Sequence, residues 1–167
     1  MEMNKINLLI VDDEEQFLKS ISRSLEMRDF NVTAVSRGDK ALEAARSHPI
    51  DVALVDLKMP GMDGRETLEA LKKQHPWMEI IILTGHGTID SAAECTRAGA
   101  FSYLQKPCEF DRLLETLAQA FKQRVMNKKQ IEEKKMDAML RIAMGLSPRE
   151  ILNKLREIDQ ADEEEVV

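Results

Sequence analysis

The chain has 167 residues, enough for one compact domain with an appendage, and this length argues against a second full domain. Its 43% hydrophobic and 32% charged residues are typical of a globular protein, and its net charge of −6 argues against general affinity for nucleic acid. The cysteines, Cys95 and Cys108, lack metal-ligand spacing and predict reduced thiols. The apolar run at residues 6–11 is too short for a signal-peptide core or a membrane span, so we expect a cytoplasmic protein with no membrane partner.

Short apolar runs typical of β-strands alternate along the chain with segments whose apolar residues recur at helical spacing. The candidate strands are residues 7–11, 32–35, 52–55, 80–83 and 102–104. Several of these runs are apolar on both faces, which indicates buried strands of a parallel sheet with helices on both sides. We therefore predict an α/β fold: a flavodoxin-like, doubly wound sheet of five parallel strands in the order 2-1-3-4-5, with a C-terminal helical extension.

The division of the chain is predicted from a rise in charge density near Arg124, where the fifth helix of the domain is expected to end. Residues 1–124 form the predicted domain, and residues 125–167 form the predicted extension. A further amphipathic helix is expected to stop at Gly145, and Ser147 with Glu150 forms the capping box of a second helix. The extension is thus predicted to be a helical hairpin, followed by a solvated acidic tail at residues 162–165.

Three acidic residues follow two strands that are neighbours in the predicted order. Asp12 and Asp13 come directly after the first strand, and Asp56 directly after the third, so all three should share one crevice. Carboxylates this close repel one another unless a cation neutralises them, and an all-oxygen set without His or Cys favours Mg²⁺. The alternative is that Asp12 and Asp13 merely cap the first helix, but this does not account for Asp56.

Two further residues are expected at the same edge of the sheet. Lys106 follows the fifth strand and brings a cation to the crevice, and a cis peptide bond before Pro107 would direct its side chain inward. Thr84 closes the fourth strand and adds a hydroxyl group. The alternatives are a solvated loop lysine and a threonine that caps the following loop. The acidic loop excludes a flavin or nucleotide phosphate, which needs a Gly-, Ser- or Thr-rich loop at this position.

Taken together, these residues resemble the receiver domains of bacterial response regulators. The resemblance covers about the first three quarters of the chain. It rests on the Asp12-Asp13 pair, on the stretch from Asp56 to Gly64 (Asp-Leu-Lys-Met-Pro-Gly-Met-Asp-Gly), on Thr84-Gly85 and on Lys106-Pro107.

The resemblance implies a role for each acidic residue. Asp56 is identified as the phosphoacceptor of a two-component phosphorelay, taking the phosphoryl group from a sensor histidine kinase. Asp12, Asp13 and Asp56 would hold Mg²⁺ together with the backbone carbonyl of Lys58. The domain would perform this transfer itself without being an enzyme on other substrates.

The resemblance also implies how the domain signals. Lys106 and Thr84 would stabilise the phosphoryl group, and Thr84 with Tyr103 would form a switch that alters the face of helix four, strand five and helix five. Lys58 and His86 occupy positions associated in the family with phosphoryl lifetime. The alternatives are an ordinary half-buried Tyr103 and a solvent-facing His86.

The output of the domain is predicted from the extension. Residues 146–151 resemble the opening of a helix-turn-helix module, but no recognition helix follows. From residue 123 onward nine basic residues face ten acidic ones, so DNA binding is disfavoured without being excluded. Dimerisation or docking of a downstream protein is the favoured hypothesis, a transcriptional regulator is second, and a free-standing enzyme is third.

Overall fold

A computed structural model describes residues 5–145, 147–150, 152–153 and 156–157 of the chain. Strands and helices alternate from residue 6 to residue 143. The strands are β1 (Ile6–Val11), β2 (Phe30–Val35), β3 (Val52–Val55), β4 (Glu79–Thr84) and β5 (Ser102–Gln105). The helices are α1 (Glu15–Glu26), α2 (Gly38–Ser47), α3 (Gly64–Gln74), α4 (Ile89–Arg97) and α5 (Phe110–Ala143). The strands form one parallel sheet in the order β2-β1-β3-β4-β5, so the predicted fold is confirmed.

The sheet separates two apolar cores, because successive side chains of each strand point to opposite faces. Leu9 and Ile80 belong to the core beneath α2, α3 and α4. Leu8 and Ile81 belong to the core beneath α1 and α5. Both β3 and β4 are buried along their whole length, which is why their sequences are apolar on both faces.

The register of the central strands positions the acidic residues. Val11, the last residue of β1, lies opposite Val55, the last residue of β3. The amide of Asp56 donates to the carbonyl of Val11 (3.0 Å), and the amide of Asp12 donates to the carbonyl of Val35 (3.1 Å). The backbone therefore fixes both acidic residues at one edge of the sheet, immediately beyond the strands.

Helix α5 differs from the sequence-based expectation. We expected one helix to end near Arg124 and another to follow it, whereas α5 is a single helix of 34 residues. The reason is local: residues 110–143 contain no Gly or Pro and are rich in Ala, Leu, Met, Lys, Glu and Gln, which are strong helix formers. The buried residues of α5 all lie before Arg124, so the change in charge there follows the loss of buried positions and not the end of the helix.

The chain divides into two compact units, residues 1–124 and 125–167. In the second unit α5 ends at Ala143, two residues before Gly145. The amide of Ser147 donates to the Glu150 carboxylate (2.8 Å) and the Glu150 amide donates to the Ser147 hydroxyl (3.4 Å), so the capping box is present. The apolar positions predicted at Ile151, Leu155 and Ile158, and the acidic tail, lie outside the described residues.

Within the described ranges, no helix combines the length and apolar character needed to cross a membrane.

Candidate functional site

Three carboxylates meet where the carboxyl ends of the parallel strands lie side by side, which is called here the carboxyl edge of the sheet. Asp12, Asp13 and Asp56 each offer one oxygen atom, and these three atoms lie within 4.8 Å of one another. Asp12 and Asp56 are each only 2% exposed, whereas Asp13 is exposed. The cluster therefore opens to solvent on the side of Asp13, and its other two members are fixed against the sheet.

Lys106 lies against this cluster. Its Nζ atom is 2.5 Å from Oδ2 of Asp12 and 4.0 Å from Oε1 of Glu14. The same ammonium group lies over the ring of Phe17, 3.9 Å from the ring centroid, where a cation–π interaction stabilises it. The peptide bond between Lys106 and Pro107 is cis, as predicted. Lys106 is thus a directed part of the crevice and not a solvated loop residue.

The buried acidic residues differ in how their oxygen atoms are satisfied. Burial raises the pKa of Asp12, and the Asp56 charge adds to this, while the bonds from Lys106 and from the Glu14 amide oppose it. Oδ1 of Asp12 accepts the Glu14 amide (2.9 Å), so Asp12 also serves the start of α1, as the capping alternative proposed. By contrast, Oδ1 of Asp56 is buried and has no hydrogen-bond partner among the described residues.

This donor set fits a small divalent cation. A buried oxygen atom without a partner is costly, and clustered carboxylates repel one another, so a bound cation would relieve both penalties. The ligands are carboxylates, with no His or Cys in the cluster, and such oxygen donors suit Mg²⁺ better than a transition metal.

The other predicted residues lie around the cluster at different depths. Thr84 is fully buried, and its hydroxyl accepts the amide of His86 (3.1 Å), so it caps the loop after β4 as the alternative proposed. The Lys106 amide donates to the carbonyl of Thr84 (2.9 Å), which joins the two strand ends. The side chains of Lys58 and His86 are exposed, and neither belongs to the three-carboxylate cluster.

Tyr103 is half-buried and packs at the margin of the core beneath α2, α3 and α4. Its hydroxyl lies 3.2 Å from the hydroxyl of Ser91 in the first turn of α4. The structure therefore connects Tyr103 to α4 by a polar contact as well as by packing.

Gly64 is needed for a close approach of two backbone segments. A Cβ atom at this position would overlap the carbonyl oxygen of Asp56, and the Gly64 amide donates to the carbonyl of Leu57 (2.8 Å). Any side chain here would push α3 away from the loop that carries Asp56. The glycine that ends the quoted motif therefore positions the acidic crevice.

Sequence reasoning missed two groups around the site. Phe17 and Ser91 contact Lys106 and Tyr103, which are distant from them in the chain. Phe17 was visible only as an apolar position of α1, and Ser91 as a polar residue at the start of α4. No signal in one sequence pairs such residues, because the pairing comes from the packing of helices against the sheet.

Comparison with known proteins identifies the family of the chain. The sequence profile of the response regulator receiver domain matches residues 8–118. An NtrX-like response regulator from Rickettsia bellii is 37% identical over 120 residues, which cover 71% of this chain and 25% of that protein. The transcriptional regulatory protein ZraR from Salmonella typhimurium is 38% identical over 120 residues, which cover 72% of this chain and 27% of that protein. The chain thus spans about a quarter of the length of these curated relatives.

Solved structures give the same result. The crystal structure of a CheY-like response regulator receiver domain protein from Methanospirillum hungatei superposes with a TM-score of 0.71 at 29% identity. The match covers 74% of this chain and 98% of that one. From the sheet order, the acidic crevice and these matches, the chain belongs to the response regulator receiver domain family of two-component signalling systems.

Proposed function

We propose that this receiver accepts a phosphoryl group on Asp56 from a histidine kinase, and that the phosphorylated form presents a changed binding surface. The observation that carries this proposal is the Asp56 carboxylate. It is 2% exposed, one of its oxygen atoms has no partner among the described residues, and two more carboxylates lie beside it. A structural carboxylate in such a position would be expected to have a cation or amide donors for both oxygen atoms.

The chain's own groups suit an in-line transfer. A carboxylate oxygen of Asp56 forms the new bond to phosphorus while the phosphorus–nitrogen bond of the donor breaks, and the electron pair stays on the donor imidazole, which takes a proton from water. The Lys106 ammonium group offsets negative charge on the transferring oxygen atoms. The Thr84 hydroxyl, already oriented by the His86 amide, is available to donate to the phosphoryl group.

The same proposal assigns the metal ligands. Asp12, Asp13, Asp56 and the backbone carbonyl of Lys58 would hold Mg²⁺. When bound, Mg²⁺ would neutralise charge on both the carboxylates and the phosphoryl oxygen atoms. We also propose that the exposed side chains of Lys58 and His86 influence how fast water removes the phosphoryl group. Lys58 lies two residues after Asp56, and His86 lies two residues after Thr84.

The test is intact mass after incubation of the full chain with Mg²⁺ and acetyl phosphate. We expect one phosphoryl adduct that is absent with a chelator and absent in Asp56→Asn. The matched control is Asp39→Asn, which neutralises an exposed carboxylate of α2 and should leave the adduct unchanged. An adduct that persists in Asp56→Asn would disprove the assignment.

For the whole protein, we propose a signalling role in the cytoplasm with no chemistry on other substrates. Thr84 and Tyr103 would transmit phosphorylation to the face formed by α4, β5 and α5, and the helical extension would mediate self-association or bind a downstream protein. Supporting this, the end of α5 carries an exposed apolar stripe. Its members are Met136 (58% exposed), Met139 (44%) and Leu140 (55%), and Met144 (88%) follows directly after the helix.

Light scattering on phosphorylated and unphosphorylated chain tests the role of the extension. Leu140→Gln should reduce any phosphorylation-dependent increase in mass, because it places an amide in the stripe. Lys134→Gln, on the opposite side of the same helix, is the control and should leave the mass unchanged. Equal assembly in both variants would remove the stripe from the interface.

The named activity of the relatives supports a second candidate function. ZraR is a transcriptional regulatory protein, and the part of it outside the match is about three quarters of its length. A gel shift with a pool of random-sequence DNA distinguishes the two functions. A phosphorylation-dependent shift would favour the transcriptional regulator, and no shift alongside a change in mass would favour the protein-interaction module.

A further inference from the structure

Tyr103 on β5 reaches across to the loop before α4 and fills a space that Gly87 leaves open. A Cβ atom on Gly87 would overlap the hydroxyl oxygen of Tyr103. The overlapping atom is the far end of a rotatable side chain, so a larger residue at position 87 would displace the tyrosine ring and leave the backbone in place. The Tyr103 hydroxyl therefore occupies the space that the absence of a side chain at Gly87 leaves.

The hydroxyl of Ser91 serves two elements at once. It accepts the amide of Thr88 (2.8 Å) and donates to the carbonyl of Thr88 (2.9 Å), while the Ser91 amide donates to the Thr88 hydroxyl (3.0 Å). These bonds form the capping box of α4. Either hydroxyl could donate in the contact between Tyr103 and Ser91. Because Ser91 has one hydroxyl proton and its bond to the Thr88 carbonyl uses that proton, we assign Tyr103 as the donor.

We infer that Ser91 and Gly87 form a latch that holds the Tyr103 ring inward and couples its position to the first turn of α4. When the ring is inward, its hydroxyl donates to the Ser91 hydroxyl of the capping box, and the polarised Ser91 hydroxyl binds the Thr88 carbonyl more strongly. When the ring leaves, Ser91 loses a donor and the cap weakens. Ser91 is a positioning residue in this scheme, since it acts through Tyr103.

This inference rests on the proposed function for its meaning in signalling, because it names the residue through which the Tyr103 switch would reach α4. Its structural content is independent of phosphorylation. The latch predicts that ring position and helix capping change together in the metal-free chain. We measure the position of the Tyr103 ring and the stability of the α4 cap in separate experiments.

The ring is measured by fluorine NMR of the full chain labelled with 3-fluorotyrosine. The chain contains one tyrosine, so the resonance reports Tyr103 alone. Gly87→Ala should move the resonance towards that of free fluorotyrosine, because the inward position is blocked. Ser91→Ala should lower the ratio of inward to outward ring by about two- to tenfold, the effect of one hydrogen bond, and Ser91→Thr should restore much of it.

The control for this arm is Ser47→Ala, which removes the hydroxyl of another helical serine remote from Tyr103. It should leave the resonance where it is in the wild type. If Ser91→Ala also leaves the resonance unchanged, packing alone holds the ring and the latch is wrong.

The helix is measured by amide hydrogen exchange in Tyr103→Phe. This substitution removes the phenol hydroxyl and keeps both capping residues, so the cap changes only if it depends on Tyr103. Exchange at the amides of Ser91 and Ala92 should speed up by about two- to tenfold. Unchanged exchange at both amides would overturn the coupling even if the ring result stands.

Beryllofluoride with Mg²⁺, a stable analogue of an acyl phosphate, separates this inference from the proposed function. If the fluorotyrosine resonance of the wild type does not change with the reagent, the result counts against the Asp56 site. The comparisons between the metal-free variants would still test the latch. We expect the wild-type ring to respond and the change in α4 exchange to be smaller in Ser91→Ala. An α4 response of wild-type size in Ser91→Ala would show that Ser91 does not transmit the position of the ring.

Discussion

Strand β3 joins two acidic residues at opposite ends of the parallel strands: a partly buried one at the amino ends, called here the amino edge, and a buried one at the carboxyl ends, the carboxyl edge. Asp51 precedes β3 and Asp56 follows it. At the amino edge, Oδ2 of Asp51 accepts the amide of Asn7 (2.9 Å), and Oδ1 lies 3.1 Å from Nε of Arg124. One acidic residue meets one basic residue and one amide there. The contact with Arg124 is an ion pair, because Nε of Arg124 makes no hydrogen bond among the described residues, and this pair offsets the negative charge of Asp51.

At the carboxyl edge the balance is different. Of the three clustered carboxylates, Asp12 pairs with the ammonium group of Lys106, and one oxygen atom of Asp56 has no partner within the described part of the chain. Folding alone gives no reason to leave such a charge uncompensated, because its burial costs stability. The comparison teaches that an excess of acidic groups over donors, not a buried acidic residue as such, marks the functional edge.

The largest expected effect separates the basic residues of the two edges. Lys106→Met should slow phosphorylation by acetyl phosphate by about 10²-fold, because it removes the cation that would meet the charge on the transferring group. Arg124→Met removes a cation from the amino edge and should change the rate by less than about twofold. The rates are measured by quenched-flow intact mass at saturating Mg²⁺. Equal losses in both variants would mean that general destabilisation, not charge at the crevice, controls the rate.

The second prediction concerns the unpartnered carboxylate. Asp56→Asn should stabilise the metal-free chain by about 1 to 3 kcal/mol, because it removes one of three mutually repelling charges. Adding Mg²⁺ should stabilise the wild type more than this variant, since the variant has lost a ligand. Urea unfolding with and without Mg²⁺ measures both differences. Destabilisation of the metal-free chain by this substitution would show that Asp56 has a structural partner.

The matched change at the amino edge has the opposite sign. Asp51→Asn should destabilise the chain by about 1 kcal/mol, because it removes the ion pair with Arg124 and weakens the hydrogen bond from the Asn7 amide. The effect is limited, since the side chain of Arg124 is 22% exposed and water replaces part of the lost interaction. The same urea titrations give the value. If both Asp→Asn variants shift the midpoint in the same direction, the contrast between the two edges is wrong.

The sequence predicted the fold and the acidic crevice for one shared reason. Short runs such as Ile80–Leu83 are apolar at every position, as buried strands of a parallel sheet are, and in such a sheet the residues that follow neighbouring strands meet at one edge. The positions of Asp12, Asp56 and Lys106 therefore followed from strand order alone.

Contacts that depend on helix packing could not be predicted in this way. The stacking of Lys106 on Phe17 and the sharing of the Ser91 hydroxyl join residues of different elements, and no periodicity pairs them. The length of α5 was missed for another reason. Charge density was taken as a boundary at Arg124, although helix propensity is high on both sides of it.

The smallest expected effect is a pH dependence at the amino edge. His75 follows α3, and its Nε2 atom is buried with no hydrogen-bond partner among the described residues. Burial, assisted by the charge of Arg46, lowers the pKa of His75 below its ordinary value of 6.5. The unfolded chain therefore takes up a proton first as the pH falls, and the fold loses stability as the pH drops through about 6.5 towards the folded pKa.

Acidification acts in the opposite direction at the carboxyl edge. The pKa of Asp12 is raised above 3.8, mainly by burial, so in the window above 3.8 the folded chain binds more protons and gains stability as the pH falls. Thermal unfolding of the metal-free chain between about pH 7.5 and 5.5 tests the His75 contribution. His75→Gln should flatten the decline by less than about 1 kcal/mol, because the ring is partly exposed and water screens its charge. An undiminished slope in His75→Gln would place the source of the decline elsewhere in the chain.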